Sequence, residues 1–266
     1  MSMKTQENDT VLVIPARMAS ARLPGKPLAD IGGAPMIVHV MQRAMAANIG
    51  PVIIACAEDE IARAVRAAGG TAVLTDPDLP SGTDRVRAAL ETIDPDEKYK
   101  IAVNVQGDLP LLDPVAISAA VDVLRAEPQC DIATLAVQTD DAREISDPNV
   151  VKAVLAMRSP AQGRALYFTR ASAPSGPGPV YHHVGLYAYR RDALNRFCAL
   201  PPSALEVRER LEQLRALEAG MRIDAAIIDS APDGVDTPDR NVAFSLKPTR
   251  SRSNHSSCCS LYPHFC

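Results

Sequence analysis

Residues 11–28, VLVIPARMASARLPGKPL, decide the fold. Val11 to Ile14 is an apolar run of the length that suits a buried strand. Pro15 is expected to end it, because proline has no amide hydrogen for a central ladder. Arg17, Arg22 and Lys26 follow among small residues and Gly25, with no carboxylate before Asp30. A buried strand leading into a cationic, glycine-bearing loop is how α/β proteins hold phosphates. The strand fixes the position, glycine lets the backbone come close, and the cations neutralise the anion. Three scattered cations alone suit an ordinary turn with solvated charges; the unbroken run without an acid is what makes the loop a positive field. Gly25-Lys26 is followed by Pro27 rather than Ser or Thr, which excludes a P-loop. No G-x-G-x-x-G follows the strand, so the dinucleotide fingerprint is missing too. A nucleotide triphosphate here would be held mainly by side-chain cations.

Outward from this stretch, residues 35–47 read as a helix with proline in its first turn and Ile37, Val40, Met41 and Ala44 as its apolar stripe. Residues 52–55 read as a strand, 59–68 as a helix closed by Gly69-Gly70, and 71–74 as a strand. This alternation predicts a mostly parallel sheet. Ser81-Gly82-Thr83-Asp84-Arg85 opens a helix running to Ile93. Capping by Ser81 or Thr83 accounts for it, as does a tight loop offering amides and hydroxyls to a base or ribose. Strand 101–105 leads into Gln106-Gly107-Asp108-Leu109-Pro110, so Asp108 stands just past the carboxyl end of a central strand, where open α/β sheets place ligands. It is a turn former or a magnesium ligand; magnesium takes one or two carboxylates beside phosphates and water.

Helix 114–124 is followed by strands at 132–137, 151–156, 166–169 and 183–189 without long helices, which predicts a mixed or antiparallel region. Residues 173–180, APSGPGPV, are a lid or a plain connector. At a period of two, His183, Gly185, Tyr187 and Tyr189 share one face of their strand, opposite Val184, Leu186 and Ala188. That polar face suits a sugar or carboxylate, or equally a satisfied half-buried histidine beside tyrosines. Residues 203–220 read as one strong helix, with Ser203 as cap, Glu206 completing a capping box, and Gly220 as the stop. Val207, Leu211, Leu214 and Leu217 form its core stripe, which leaves Glu212 and Gln213 facing solvent. After a strand at 223–228, Asp236 in Gly234-Val235-Asp236-Thr237-Pro238 has a setting like that of Asp108.

The chain of 266 residues can bury a sizeable core, and 23% charged residues is ordinary for a globular protein. A net charge of −4 and the absence of Trp argue against a nucleic-acid partner. After Asp239 come Arg240, Lys247, Arg250 and Arg252 with no acid, so these four cations leave −8 for the preceding body out of the net −4. A body that acidic needs local positive loops to take an anionic substrate. MSMKTQENDT has no apolar signal core, no run is long enough to cross a membrane, and the widely spaced Cys56, Cys130 and Cys198 suit a reducing cytoplasm. Residues 240–266 lack amphipathic spacing. Disorder is the reading there, over a zinc cluster from His255, Cys258, Cys259, His264 and Cys266.

Seven blocks, IPARMASARLPGKPLADIGGAPMIVHV, SGTDRV, NVQGDLP, ALYFTRA, HHVGLYAYR, LEQLRALEAG and GVDTP, resemble in this order the 3-deoxy-manno-octulosonate cytidylyltransferase, or CMP-Kdo synthetase, family. The resemblance spans residues 11–239. It implies an α/β, three-layer, Rossmann-like nucleotidyltransferase fold with a mostly parallel central sheet and a smaller mixed or antiparallel substrate and dimerisation region. It implies one such domain over residues 1–239, with 240–266 a disordered or frame-shifted tail where relatives carry an amphipathic helix. The implied activity is CMP transfer from CTP to Kdo for lipopolysaccharide biosynthesis, with Mg²⁺ as cofactor, in a cytoplasmic homodimer. Arg17, Arg22 and Lys26 would hold the triphosphate, Ser81, Gly82, Thr83 and Arg85 the CTP, and Asp108 and Asp236 the metal. Gln106, Arg170, His183, Tyr187, Glu212 and Gln213 would bind Kdo, the cations near its carboxylate and the others on its hydroxyls. Many relatives have glutamate in place of Leu109 and a basic residue in place of His182. Another sugar acid, amino-Kdo or an acylneuraminate, and a nucleotide-binding protein inactivated at its C-terminus are the alternatives.

Overall fold

The computed structural model describes residues 9–19 and 25–232. Arg22, Asp236 and residues 240–266 lie outside them. In chain order the elements are β1 (Thr10–Ala16), β2 (Asp30–Ile31), β3 (Ala34–Pro35), α1 (Met36–Ala46), β4 (Val52–Cys56), α2 (Asp59–Ala67), β5 (Thr71–Leu74), α3 (Gly82–Ile93), β6 (Ile101–Asn104) and α4 (Pro114–Ala126). They continue with β7 (Ile132–Thr139), α5 (Ala142–Ser146), β8 (Lys152–Ser159), β9 (Gln162–Thr169), β10 (Val180–Arg190), α6 (Arg191–Ala199), α7 (Ala204–Glu209), α8 (Leu214–Glu218) and β11 (Ile223–Ile227).

Among the described residues, nine strands make one sheet in the order β5-β4-β1-β6-β10-β7-β11-β9-β8. β5, β4, β1 and β6 are mutually parallel, as the βα alternation predicts. β10 then enters antiparallel between β6 and β7, and the β8–β9 hairpin closes the far edge. One face of the sheet packs on α1, α2 and α4, the other on α3, α6 and α8, giving three layers. Both faces of β1 are therefore covered, and Val11, Leu12, Val13 and Ile14 are fully buried.

Two expectations fail, each for a local reason. β1 does not stop at Pro15 but runs to Ala16, still paired with β4. The last bond between β1 and the chain leaving β6 is Val105 N–H to the Val13 carbonyl. Since alternate residues address opposite neighbours, the hydrogen Pro15 lacks would point beyond that last bond, where no partner is lost.

The single helix expected over residues 203–220 is broken. The capping box of Ser203 and Glu206 forms, and Gly220 ends the segment at φ +75°. Between them, Arg210 sits in the left-handed region at φ 57°, ψ 48°. Arg170 holds the break: its Nε donates to the Glu209 carbonyl at 2.9 Å and its Nη2 to the Arg210 carbonyl at 3.4 Å. The Glu209 carboxylate in turn accepts from the Arg170 amide and the Thr169 hydroxyl. A left-handed non-glycine residue costs about 1–2 kcal/mol, which these charge-assisted bonds offset. As a result Val207, expected in the core, is 67% exposed, while Leu211 and Leu214 remain buried.

Candidate active site

The carboxyl ends of β1 and β6 open onto a cavity of about 420 Å³, lined by Arg17, Lys26, Gln106, Gly107 and Asp108 among others. Gly25, at φ 72°, leads into a short 3-10 turn, Lys26–Leu28, and Lys26 Nζ donates to Asp108 Oδ2 at 2.9 Å. The cationic loop after β1 and the carboxylate after β6 therefore meet in one cavity. A smaller cleft of about 120 Å³ adjoins it, lined by Arg17, Ser81, Gly82, Arg85 and Gln106. Arg17 and Gln106 belong to both. A Cβ on Gly107 would lie 3.0 Å from the Pro15 carbonyl oxygen, so any side chain there would push the chain after β6 a few tenths of an ångström away from β1.

Ser81 caps α3, accepting from the Asp84 amide at 3.1 Å, so the helix N-terminus with Gly82 faces the smaller cleft. The Thr83 and Arg85 side chains turn inward. Arg85 is 1% exposed and braces the preceding loop through the Thr75 hydroxyl and the Asp76 carbonyl. Burial pushes its pKa down. Thr83 is buried and donates to Glu212 Oε2 at 2.8 Å.

β10 carries the second group of candidates. Its register with β7 slips by two residues between Val184 and Tyr187, so the alternation of faces survives the bulge. Thr134 on β7 sits in the bulge. Its hydroxyl donates to the Leu186 carbonyl at 2.8 Å and lies 2.9 Å from His183 Nε2. With its one proton on that carbonyl, Thr134 accepts from Nε2–H, which leaves Nδ1 as the acceptor of the His183 ring. Burial and the neighbouring His182 push the His183 pKa down to about 3, so the ring is neutral. Among the sugar-side candidates, Arg170 is therefore the cation and His183 is not; a charge on that ring would meet burial without a carboxylate. The His183 and Tyr187 rings stand 5.6 Å apart, and Phe168 meets His183 edge-on.

Glu212 and Gln213, expected on a solvent face, lie in the break between α7 and α8. Gln213 is 5% exposed. Glu212 Oε1 and Gln213 Nε2 are buried without a hydrogen-bond partner among the described residues. A buried acceptor beside a buried donor, both unmet, is the arrangement that a hydroxyl-bearing ligand satisfies. Gln106 connects the two halves: its Nε2 donates to Asn104 Oδ1 at 3.5 Å, and Tyr187 pairs with Asn104 across the β10–β6 ladder.

The chain matches the family model described as cytidylyltransferase over residues 11–223. It is 62% identical over 230 residues to the 3-deoxy-manno-octulosonate cytidylyltransferase of Rhodospirillum rubrum, covering 86% of this chain and 91% of that one. The chain belongs to the 3-deoxy-manno-octulosonate cytidylyltransferase family. The enzyme of that name from Parvibaculum lavamentivorans is 62% identical over 228 residues, covering 86% of this chain and 88% of the relative. A solved structure of CMP:2-keto-3-deoxy-manno-octonic acid synthetase complexed with CTP matches with a TM-score of 0.82 at 38% identity, over 89% of this chain and 96% of that one. A cytidylyltransferase structure from Leptospira borgpetersenii matches with a TM-score of 0.53 at 15% identity and shares the fold.

In this cytidylyltransferase scaffold, sequence reasoning missed Asn104 and Thr134. Asn104 was open to it, since it stands two residues before Gln106 on the same strand period. Thr134 carried no signal, because its role arises from the bulge in a different strand. Of the two carboxylates expected on a metal, Asp108 alone is among the described residues. Its side chain is 35% exposed on the larger cavity. One such carboxylate fits magnesium when nucleotide phosphates and water supply the remaining oxygens.

Proposed function

We propose that this family member transfers CMP from CTP to 3-deoxy-manno-octulosonate, releasing pyrophosphate. The observation that carries the reading is the single cavity at the carboxyl ends of β1 and β6 in which Arg17, Lys26 and Asp108 converge. Arg17 and Lys26, with Arg22, hold the triphosphate and neutralise the charge that builds on the departing pyrophosphate. The α3 N-terminus with Ser81 and Gly82 takes the cytidine side of the nucleotide, while Arg85 braces the preceding loop from within. Asp108, with Asp236, would hold Mg²⁺, which supplies electrostatic stabilisation of the phosphate oxygens when bound.

Gln106, Tyr187, Glu212 and Gln213 hold the sugar hydroxyls, and His183 joins them as a neutral ring. Arg170, whose three guanidinium nitrogens each donate to a backbone carbonyl, of Pro148, Glu209 and Arg210, is the cation assigned to the sugar carboxylate through its two remaining N–H groups. These contacts orient the anomeric hydroxyl for in-line attack on the α-phosphorus, so positioning and electrostatics do the work with no covalent enzyme intermediate.

The free thiols Cys56, Cys130 and Cys198 are compatible with a reducing cytoplasm. Exposed Met157 and Leu166 on the β8–β9 hairpin are available to a second copy in the homodimer that the family resemblance implies; sedimentation measures that. The function itself is tested by pyrophosphate release from CTP with Kdo, with N-acetylneuraminate and without sugar, each with and without Mg²⁺. Release only with Kdo and Mg²⁺ supports the reading, and release only with N-acetylneuraminate overturns it.

A further inference from the structure

A one-directional chain of hydrogen bonds runs from the nucleotide cleft to the buried carboxylate. Gln106 Nε2 donates to Asn104 Oδ1 at 3.5 Å, Asn104 Nδ2 to Thr83 Oγ1 at 3.4 Å, and Thr83 Oγ1 to Glu212 Oε2 at 2.8 Å. Gln106 lines both cavities, and Thr83 lies in the first turn of the helix whose N-terminus faces the smaller one. The chain stops at Glu212, whose other oxygen is buried and unpartnered.

We infer that Thr83 is a positioning residue for the sugar acid rather than a nucleotide contact: its hydroxyl fixes Glu212 so that Oε1 is presented to a substrate hydroxyl. This rests on the Kdo reading above. Three features support it. Thr83 is 2% exposed, so its hydroxyl is shielded from the cleft. Its single proton is committed to Glu212, the shortest bond of the chain. Glu212 lies in the α7–α8 break, and among the described residues Thr83 is the one hydrogen-bond donor to its carboxylate, so without it no hydrogen bond fixes the direction of Oε1. The same bond ties α3, which forms one wall of the nucleotide cleft, to the sugar side.

Steady-state kinetics on the full chain tests this. Thr83→Val removes the hydroxyl at nearly constant volume. It should raise KM for Kdo about tenfold, the order expected for losing a hydrogen bond to a charged group, with KM for CTP changed less than twofold. Thr83→Ser should restore KM for Kdo. Thr92→Val is the control, because Thr92 lies on the exposed face of the same helix, where its hydroxyl donates to the Ala88 carbonyl, and it should leave KM for Kdo near the parent value. Thr83→Ala gives the same comparison if the valine variant does not fold. Equal rises in both KM values would show that Thr83 serves the nucleotide and overturn the inference. An unchanged KM for Kdo in an active variant overturns it as well. If the parent protein shows no Kdo-dependent turnover, the function reading and this inference fall together.

Discussion

The strands β1, β4, β5 and β6 and the residues 203–220 are built from equally clear helix and strand signals, yet one followed them and the other did not. In the parallel half β1, β4 and β6 are covered on both faces, so apolar runs such as Val11 to Ile14 have one outcome, burial, and only the edge strand β5 stays half exposed. The stripe Val207, Leu211, Leu214 and Leu217 also has helical spacing, but a long-range guanidinium from β9's end takes the carbonyls at Glu209 and Arg210 and breaks the helix. Periodicity reports what a segment prefers in isolation; a cation arriving from elsewhere in the chain can override it. The difference matters functionally, because the regular half carries the phosphate cavity and the broken helix carries Glu212 and Gln213.

Substitutions in the two regions should therefore behave differently. The largest effect belongs to the cavity: Lys26→Met or Asp108→Asn should lower kcat/KM for CMP transfer by about 10²–10³-fold. Thermal unfolding should barely move, since a part-exposed pair contributes at most about 1 kcal/mol. A large loss of stability would make this pair structural and erase the contrast. Next, Arg170→Leu should cost about 1–3 kcal/mol by denaturant unfolding and raise KM for Kdo with little change in KM for CTP. Arg170→Lys should fail to rescue, because one ammonium nitrogen cannot reproduce the planar fork whose three nitrogens reach the Pro148, Glu209 and Arg210 carbonyls. Full rescue by lysine would show that charge alone matters there.

The neutral ring of His183 sharpens the comparison through pH. Its folded pKa lies near 3 against an ordinary value of 6.5, so between those limits the unfolded chain binds the extra proton. Stability due to this ring is whole above pH 6.5 and falls as the pH drops. From pH 6.5 to 5, roughly 2 kcal/mol should be lost, and His183→Gln should flatten that slope. His182 is shifted down too, so the difference between parent and variant isolates one ring. The smallest effect is at the break: Arg210→Val should destabilise by about 1–2 kcal/mol, whereas Arg210→Gly should shift stability by less than about 1 kcal/mol. Equal tolerance of both would mean that the left-handed turn is not held.

Spacing and composition by themselves determined the βα alternation, the parallel sheet around β1, the capping of α3 by Ser81, and the placement of Arg17, Lys26 and Asp108 at strand ends. These follow from local rules: which faces are apolar, where glycine and proline fall, and where a strand must stop. The tertiary structure decided the bulge that brings Thr134 to His183, the inward turn of Thr83, and the break that buries Gln213 and one carboxylate oxygen of Glu212. Each depends on a partner more than 30 residues away in the chain, as in Thr83 with Glu212 and Arg170 with Glu209. A pattern confined to neighbours carries no record of which distant donor or acceptor will arrive.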